Sequence, residues 1–433
     1  MWRRPKRTKL YFIGPEVGGF ISSLEGEFLV AGYQIKKLYF ADPLQYSEYL
    51  SKSTDLRSMR KALRNSFIYR GAFKPMVQST AKFLRFLKIL VGAKGIIFNF
   101  GTTLFNNSLE LVIYRFFKIR TIFVFHGSEI RPIYLNGKEF PLEITAKSLR
   151  NAADIVRFQR NLAGRAEKYA DAIVAWAGIT HFFSKPLFLH EVIGFPIKIP
   201  TTRNFSPPSV TSKTNLTKSS PLILHAPTHL DAKGTLEIRQ IVSELLEEGL
   251  DFRYEELIDK SNADVLRRLS DSSIVIDQIY SDSACGVFAA EAGLRDNLVV
   301  IAGQSAAYFK LEFPFEVPPT NFVQTENVKS SLRSLIIDLQ VRNLKMPNSL
   351  RKYLEVNWNA ETVATKYIKI LNGESLDEQK FEPLKNEEMF GGFSSWSNLK
   401  SFALAYVARN GVSSLGLDHN PILRDRILCR IEN

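Results

Sequence analysis

Short apolar runs rich in β-branched and aromatic residues alternate along the chain with longer stretches whose apolar positions recur every three or four residues. The short runs are LYFIG (10–14), QIKKLYF (34–40), GIIFNF (95–100), TIFVFH (121–126), AIVAW (172–176), LFLHEVIG (187–194), LILHA (222–226), FRYEELI (252–258), SIVIDQ (273–278) and NLVVIAG (297–303), and each reads as a strand. Between them NSLELVIYRFFKI, SNADVLRRL and GTLEIRQIVSELLEEGL read as helices. Strand–helix alternation on this scale predicts parallel sheets covered by helices on both faces. Residues 200–220, PTTRNFSPPSVTSKTNLTKSS, interrupt the pattern with Pro, Ser and Thr and almost no large apolar group. A linker there divides the chain into two α/β halves. The predicted organisation is a first domain over 1–200, a linker over 201–220, a second domain over 221–372 closed by NAETVATKYIKIL (359–371), and a helical tail over 373–433 with one helix ended at Gly411.

Composition narrows this picture. At 433 residues and 45% apolar content the chain can bury two or three cores. Its longest apolar runs fall short of the ~18 residues that a membrane span needs. Cys285 and Cys429 are its two cysteines, which excludes a disulfide scaffold and a four-cysteine zinc site and fits a reducing compartment. The opening MWRRPKRTKLYFIG lacks the apolar core of a signal peptide, so a cytoplasmic protein is expected.

Charge is unevenly spread. The net formal charge is +13, and residues 1–130 account for it with 21 Lys and Arg against 8 Asp and Glu. The densest stretch, 52–88, carries Lys52, Arg57, Arg60, Lys61, Arg64, Arg70, Lys74, Lys82, Arg85 and Lys88 against Asp55 alone, interleaved with apolar side chains. A basic first half on a neutral body suggests one face that meets an anionic surface. In AKFLRFLKIL the basic groups at 82, 85 and 88 share one side of a helix, which suits the inner face of the plasma membrane; a solvated helix face over a core is the alternative. No RNA- or DNA-binding motif accompanies the charge, and no nucleic-acid partner is expected.

Ligands of open α/β sheets sit beyond the carboxyl ends of strands, and four post-strand loops carry chemistry. IGPEVGGF (13–20) offers Gly14, Gly18 and Gly19 for close backbone approach, or simply a tight turn. FHGSEIRP (125–132) holds His126, able to hydrogen-bond a sugar hydroxyl or a phosphate, with Glu129 and Arg131, which could serve a ligand or pair with each other. In LHAPTHLDAKGT (224–235), Lys233 stands just before a predicted helix N-terminus, a natural anion site. His225 and His229 flank it without the spacing or carboxylate of a zinc site, so no metal is expected. DQIYSDSACGVFAAEAG (277–293) puts Cys285, Gly286 and Val287 at a helix start, with Glu291 one to two turns on, able to accept ribose hydroxyls or simply a solvated helix glutamate.

In this order, over residues 9–372, these segments resemble GT-B fold glycosyltransferases, in particular the retaining, glycogen-synthase-like class found in bacterial cell-surface polysaccharide assembly. The second half carries the most specific part: ILHAPTHLDAKGT, SSIVIDQIYSDSACGVFAAEAGLRDNLVVI and WNAETVATKYIKIL. The resemblance implies two Rossmann-like domains facing across a cleft and a hexosyltransferase that uses a nucleotide diphospho-sugar without metal or other cofactor. Its acceptor would be a glycan or a lipid-linked molecule. It implies Lys233 on the diphosphate, Glu291 as the second glutamate of a Glu-x7-Glu motif on the ribose, and His126 near the reaction centre. Thr228, His229, Ser283, Cys285, Gly286 and Val287 would border the donor, and Gly18, Gly19, Glu129 and Arg131 the acceptor. Three features depart from that pattern: Ser283 stands where the first glutamate belongs, Thr228 and His229 fill the region of a usual arginine, and AEAGLRDNLVV replaces a Met-x-x-Gly-x-Pro stretch. These departures keep a second expectation open, a diverged GT-B protein that binds a sugar nucleotide or a glycan, or supports a partner, without turnover.

Overall fold

The structure, a computed structural model, describes residues 8–38, 73–135, 144–199, 220–341, 348–374, 376–385 and 396–432. The linker over 201–219 and the basic residues from Lys52 to Arg70 lie outside the described residues.

The strands are, in chain order, β1 (Lys9–Ile13), β2 (Gln34–Leu38), β3 (Ala93–Asn99), β4 (Arg120–Val124), β5 (Ala172–Ala175), β6 (Leu187–Leu189), β7 (Leu222–His225), β8 (Arg253–Glu256), β9 (Ile274–Ile276), β10 (Leu298–Ala302), β11 (Asn321–Val323) and β12 (Lys380–Phe381). They form two sheets, β12-β6-β5-β4-β3-β1-β2 and β11-β10-β9-β7-β8. Every pairing is parallel except that of β12 with β6. The expected pair of parallel sheets is therefore present. Central strands are apolar on both faces because helices cover both: Leu10, Phe12, Ile96, Ile97, Ile122 and Phe123 are fully buried in the first sheet, as are Ile223, Leu224, Ile274 and Val275 in the second.

Both sheets reverse their strand order at one point, between β1 and β3 in the first and between β7 and β9 in the second. Diverging connections leave a crevice at such a switch, and polar side chains that follow these strands can reach it.

Local chemistry sets the helix starts around the first sheet. Asn107 accepts the Glu110 N–H at the start of Ser108–Phe116, and the Glu110 carboxylate turns back to accept the N–H groups of Leu104 and Phe105. Thr145 and Ser148 form a reciprocal capping box at the start of the 24-residue helix Ala146–Tyr169.

LFLHEVIG is shorter as a strand than its apolar pattern predicts. β6 stops at Leu189, His190–Ile193 makes one helical turn, and Gly194, at φ 97°, ends it. The chain also returns to the first lobe near residue 358, a crossing the hydrophobic pattern does not announce. Helix Ala360–Asn372 packs on helix Phe20–Val30, with Tyr367 edge-on to Phe20 at 5.8 Å, and the backbones of Ile197 and Asn359 form a β-bridge. β12 then extends the first sheet. Helices Trp396–Asn410 and Pro421–Glu432 pack on each other, and the former lies on Ala146–Tyr169. Tyr134 donates to the Leu415 carbonyl at 2.7 Å, tying this tail to the first lobe.

Candidate active site

Between the lobes, beyond the carboxyl ends of both sheets, lies a cleft of about 330 Å3. Val17, His126 and Arg131 bound it on the first lobe and the loop from Gln278 to Val287 on the second. The lobes touch at its edge: a Cβ on Gly18, whose φ is 55°, would stand 2.7 Å from a methyl of Val287. A larger residue there would strain the left-handed backbone and push the Val287 side chain aside.

In the first lobe the site is built from β3 outward. Asn99 ends that strand, fully buried; its Nδ2 donates to the Pro15 carbonyl and its Oδ1 faces His126 Nε2, both at 2.7 Å. A carboxamide oxygen can only accept, so Nε2 carries the imidazole hydrogen and Nδ1 is an acceptor. His126 stacks on His190 at 5.5 Å and meets Phe20 and Phe195 edge-on. Burial, and then the neighbouring His190, hold its pKa well below the ordinary value. The ring is neutral at physiological pH, suited to accept a hydrogen bond from a hydroxyl through Nδ1 and unsuited to act as a cation on phosphate.

Glu129 and Arg131 do not face the cleft as a pair. The Glu129 carboxylate accepts the N–H groups of His126 and Gly127, closing the turn on itself, and burial raises its pKa to about 7. Arg131 instead forms an ion pair with Asp282 across the cleft. Gln159 donates to the carbonyls of Ser128 and Arg131 and locks the turn from behind. Gly19 is the left-handed N-cap of helix Phe20–Val30, with φ 78°.

In the second lobe Lys233 ends a single helical turn, Leu230–Lys233, whose N-cap is His229; Nδ1 of that ring accepts the Ala232 N–H at 3.2 Å. Gly234, with φ 72°, redirects the chain into helix Thr235–Glu247. The Lys233 ammonium donates to Asp277 Oδ1 at 2.7 Å, and Asp277 immediately follows β9. His225 is committed to the core, with Nδ1 against the Ile276 carbonyl at 2.8 Å and Nε2 against the Thr235 hydroxyl at 3.0 Å. Thr228 is exposed.

Ser283, Cys285, Gly286 and Val287 line the cleft. The Ser283 hydroxyl donates to the Cys285 carbonyl at 3.3 Å. Cys285 is fully buried, and burial raises its thiol pKa well above the usual value, so it is a packed thiol rather than a nucleophile. Gly286 caps helix Val287–Gly293, which is seven residues long and therefore a weaker dipole than a full-length helix start. Glu291 lies within it, half-buried, and accepts from Asn262 at 3.3 Å. Burial raises its pKa, and the Asp277 charge adds to the rise. Neither Lys233, which pairs with Asp277, nor Glu291, whose pKa the Asp277 charge raises, is among the residues that line the cleft; its wall there is formed by Ala232 and by Val287, one turn before Glu291.

Five site-shaping residues escape the motif-based reading: Asn99, Trp176, Glu191, Phe195 and Asp277. Asn99 and Asp277 carry a legible signal, a polar residue that directly ends an apolar strand. Trp176 and Phe195 read as core aromatics, and they are buried, yet both border the cleft. Glu191 gives no local signal. Its buried carboxyl accepts the Ala177 N–H and lies close enough to the Ser283 hydroxyl of the second lobe to be influenced by it, and burial outweighs both to raise its pKa to about 8.

No protein-family model matches the chain, and no curated protein matches it. Solved structures do. A glycosyltransferase from Rickettsia africae superposes with a TM-score of 0.51 at 11% identity, over 85% of this chain and 99% of that one. HepE from Anabaena in complex with UDP gives 0.45 at 12% identity over 84% and 100%, and a UDP-forming α,α-trehalose-phosphate synthase from Burkholderia xenovorans 0.43 at 12% over 84% and 98%. With its two Rossmann-like sheets and the cleft between them, the chain has the GT-B fold, and in fold it resembles the GT-B glycosyltransferases.

Proposed function

We propose that this protein transfers a hexosyl group from a nucleoside diphospho-sugar to a glycan or lipid-linked acceptor, with retention of configuration. The cleft at the switch points of both GT-B lobes carries the reading: neutral His126 lines it on the first lobe, and on the second Lys233 directly follows Ala232 of its wall. In this reading the diphosphate lies toward Lys233 and the ribose toward Glu291. As the glycosidic bond breaks, negative charge grows on the departing phosphate oxygen and Lys233 stabilises it. That oxygen then takes the proton of the acceptor hydroxyl arriving on the same face, so no pair of protein carboxylates is required. His126 accepts a sugar hydroxyl through Nδ1.

The first lobe would dock on an anionic membrane. Phe83, Leu84, Leu87 and Val91 of helix Phe73–Gly92 and Leu109, Val112 and Phe116 of helix Ser108–Phe116 are exposed. Phe86 joins the two helices through Tyr114 at 5.4 Å. Over 73–120 the chain carries eight Lys and Arg and one acid, Glu110, which is buried. No helix among the described residues is long and apolar enough to cross a membrane.

A thermal-shift screen against UDP-, GDP-, ADP- and CMP-sugars tests the donor. A ligand at 100 times its Kd adds about 2.7 kcal/mol, and no shift with any of them rejects the reading. Ser283, in place of a glutamate, favours a second reading, a protein that binds the nucleotide without turnover. A shift with neither transfer nor donor hydrolysis selects it.

A further inference from the structure

Two buried acids of the first lobe spend their oxygens on backbone. Glu110 accepts the N–H groups of Leu104 and Phe105, and Glu129 those of His126 and Gly127. Asp277 is built differently. Its side chain is 1% exposed, Oδ1 accepts the Lys233 ammonium at 2.7 Å, and Oδ2 has no hydrogen-bond partner among the described residues. Oδ2 lies against Gly286, where a Cβ would stand 2.9 Å from it, so the cleft loop leaves room for this oxygen without binding it. The adjacent imidazole, His225, is held between the Ile276 carbonyl and the Thr235 hydroxyl and kept neutral by burial. Asp277 therefore ties down no loop. Lys233 is its one side-chain hydrogen-bond partner among the described residues, and the Lys233 side chain, 21% exposed, directly follows Ala232, which lines the cleft.

We propose that Asp277 is a resident counter-ion of Lys233, a positioning residue that offsets the ammonium while the site is empty and competes with the diphosphate for it when the site is filled. The inference rests on the donor reading of Lys233 given above and adds how the grip on the nucleotide is limited. A diphosphate that meets a lone buried ammonium would be held tightly before and after transfer alike. With Asp277 behind it, Lys233 presents part of its charge, and the spent nucleotide leaves more easily. The competing carboxylate is a like charge for the phosphate at short range, in surroundings less polar than water, where such repulsion is large.

The test is calorimetric titration of UDP, GDP and ADP, in parallel, into the full chain and the variants Asp277→Asn, Lys233→Ala and the double variant. Asp277→Asn keeps shape and an acceptor for Lys233 but removes the charge; it should bind the preferred nucleotide about tenfold tighter. Lys233→Ala should bind it at least tenfold more weakly, because the buried carboxylate then faces phosphate unopposed. Adding Asp277→Asn to Lys233→Ala should recover part of that loss, a comparison that survives if the single Asp277 variant does not fold. Asp277→Asn binding no tighter than wild type, or a double variant no better than Lys233→Ala, overturns the counter-ion role. Lys233→Ala binding as wild type, or no binding of any nucleotide to the unaltered chain, instead overturns the donor reading beneath it.

Discussion

The two lobes share a strand order and place a polar side chain at the same topological point, yet they fill that point with different chemistry. Beside the first switch, Asn99 ends β3 and holds His126 and the Pro15 carbonyl through neutral hydrogen bonds. Beside the second, Asp277 follows β9 and holds Lys233 by an ion pair. The first lobe, basic and apolar outside, brings neutral His126 and the paired Arg131 to the cleft; the second, with 16 Lys and Arg against 21 Asp and Glu over 221–372, sets the Lys233–Asp277 ion pair at the matching strand end. One topology supplies the crevice, and the residue at the strand end decides what the crevice can recognise.

The largest effect expected from breaking this contrast is on the charged side. Lys233→Ala should lower the transfer rate by about two decades or more, the usual worth of a preorganised charge on a developing anion. Single-turnover rates with saturating donor measure it, and near-normal turnover would reject the mechanism. Glu291→Ala should leave turnover largely intact and raise the donor KM.

On the neutral side the sharper experiment makes the first lobe resemble the second. Asn99→Asp puts a carboxylate beside His126 Nε2 and removes the donor to Pro15. The variant should lose about 1–3 kcal/mol of stability, the cost of an unsatisfied buried carbonyl, measured by urea unfolding. The new charge should also raise the His126 pKa by about a unit or more, visible as an imidazole titration by NMR. An unchanged titration would mean that the ring's neutrality does not depend on Asn99.

How much of this contrast the sequence announces follows from how local each cause is. Ten strands, the helices Ser108–Phe116 and Thr235–Glu247, and the two-sheet plan can be read from periodicity, because burial against a sheet imprints the residues themselves. The return of the chain at 358–360 cannot, since Val363 and Tyr367 need an apolar surface and the first lobe offers one as good as the second. Loop chemistry is legible in its residue types but not in its pairings. Glu129 and Arg131 sit two residues apart and suggest each other; the structure gives Glu129 to its own turn and Arg131 to Asp282, 151 positions away in the chain. Glu191 is hidden for the same reason, Ser283, which influences it, lying in the other lobe.

That cross-lobe carboxyl makes a smaller, pH-dependent prediction. Burial raises the Glu191 pKa in the folded state to about 8, from an ordinary 4.5. Between these values the folded chain binds more protons than the unfolded one, so stability falls as pH rises from about 4.5 to 8. Glu191→Gln removes the titration and keeps an acceptor for Ala177. Relative to wild type it should melt at a similar temperature at pH 5 and become progressively the more stable of the two as pH rises to 8.5. A difference between the two that does not vary with pH would place Glu191 in a more polar setting than its burial indicates.

The smallest effects concern the outer face of the first lobe, where the contrast between lobes becomes one between surfaces. Phe116 is 80% exposed and Phe83 53%, with Arg85, Lys88, Arg115 and Lys118 exposed beside them. Such a surface gains from an anionic bilayer in two separable ways. Each basic group near it contributes about 1 kcal/mol, screened by salt, whereas inserted aromatic rings contribute through lost apolar hydration, which salt does not screen. Replacing Arg85 and Lys118 by Gln should therefore weaken co-sedimentation with vesicles rich in phosphatidylglycerol and leave binding to neutral phosphatidylcholine vesicles as it was. Replacing Phe83 and Phe116 by Ser should weaken both. Because these side chains lie outside the core, none of the four changes should alter stability by more than about 0.5 kcal/mol, measured by urea unfolding. If the unaltered chain sediments equally with both vesicle types, charge is not what brings this face to a membrane; if it sediments with neither, the exposed rings serve some other purpose than lipid.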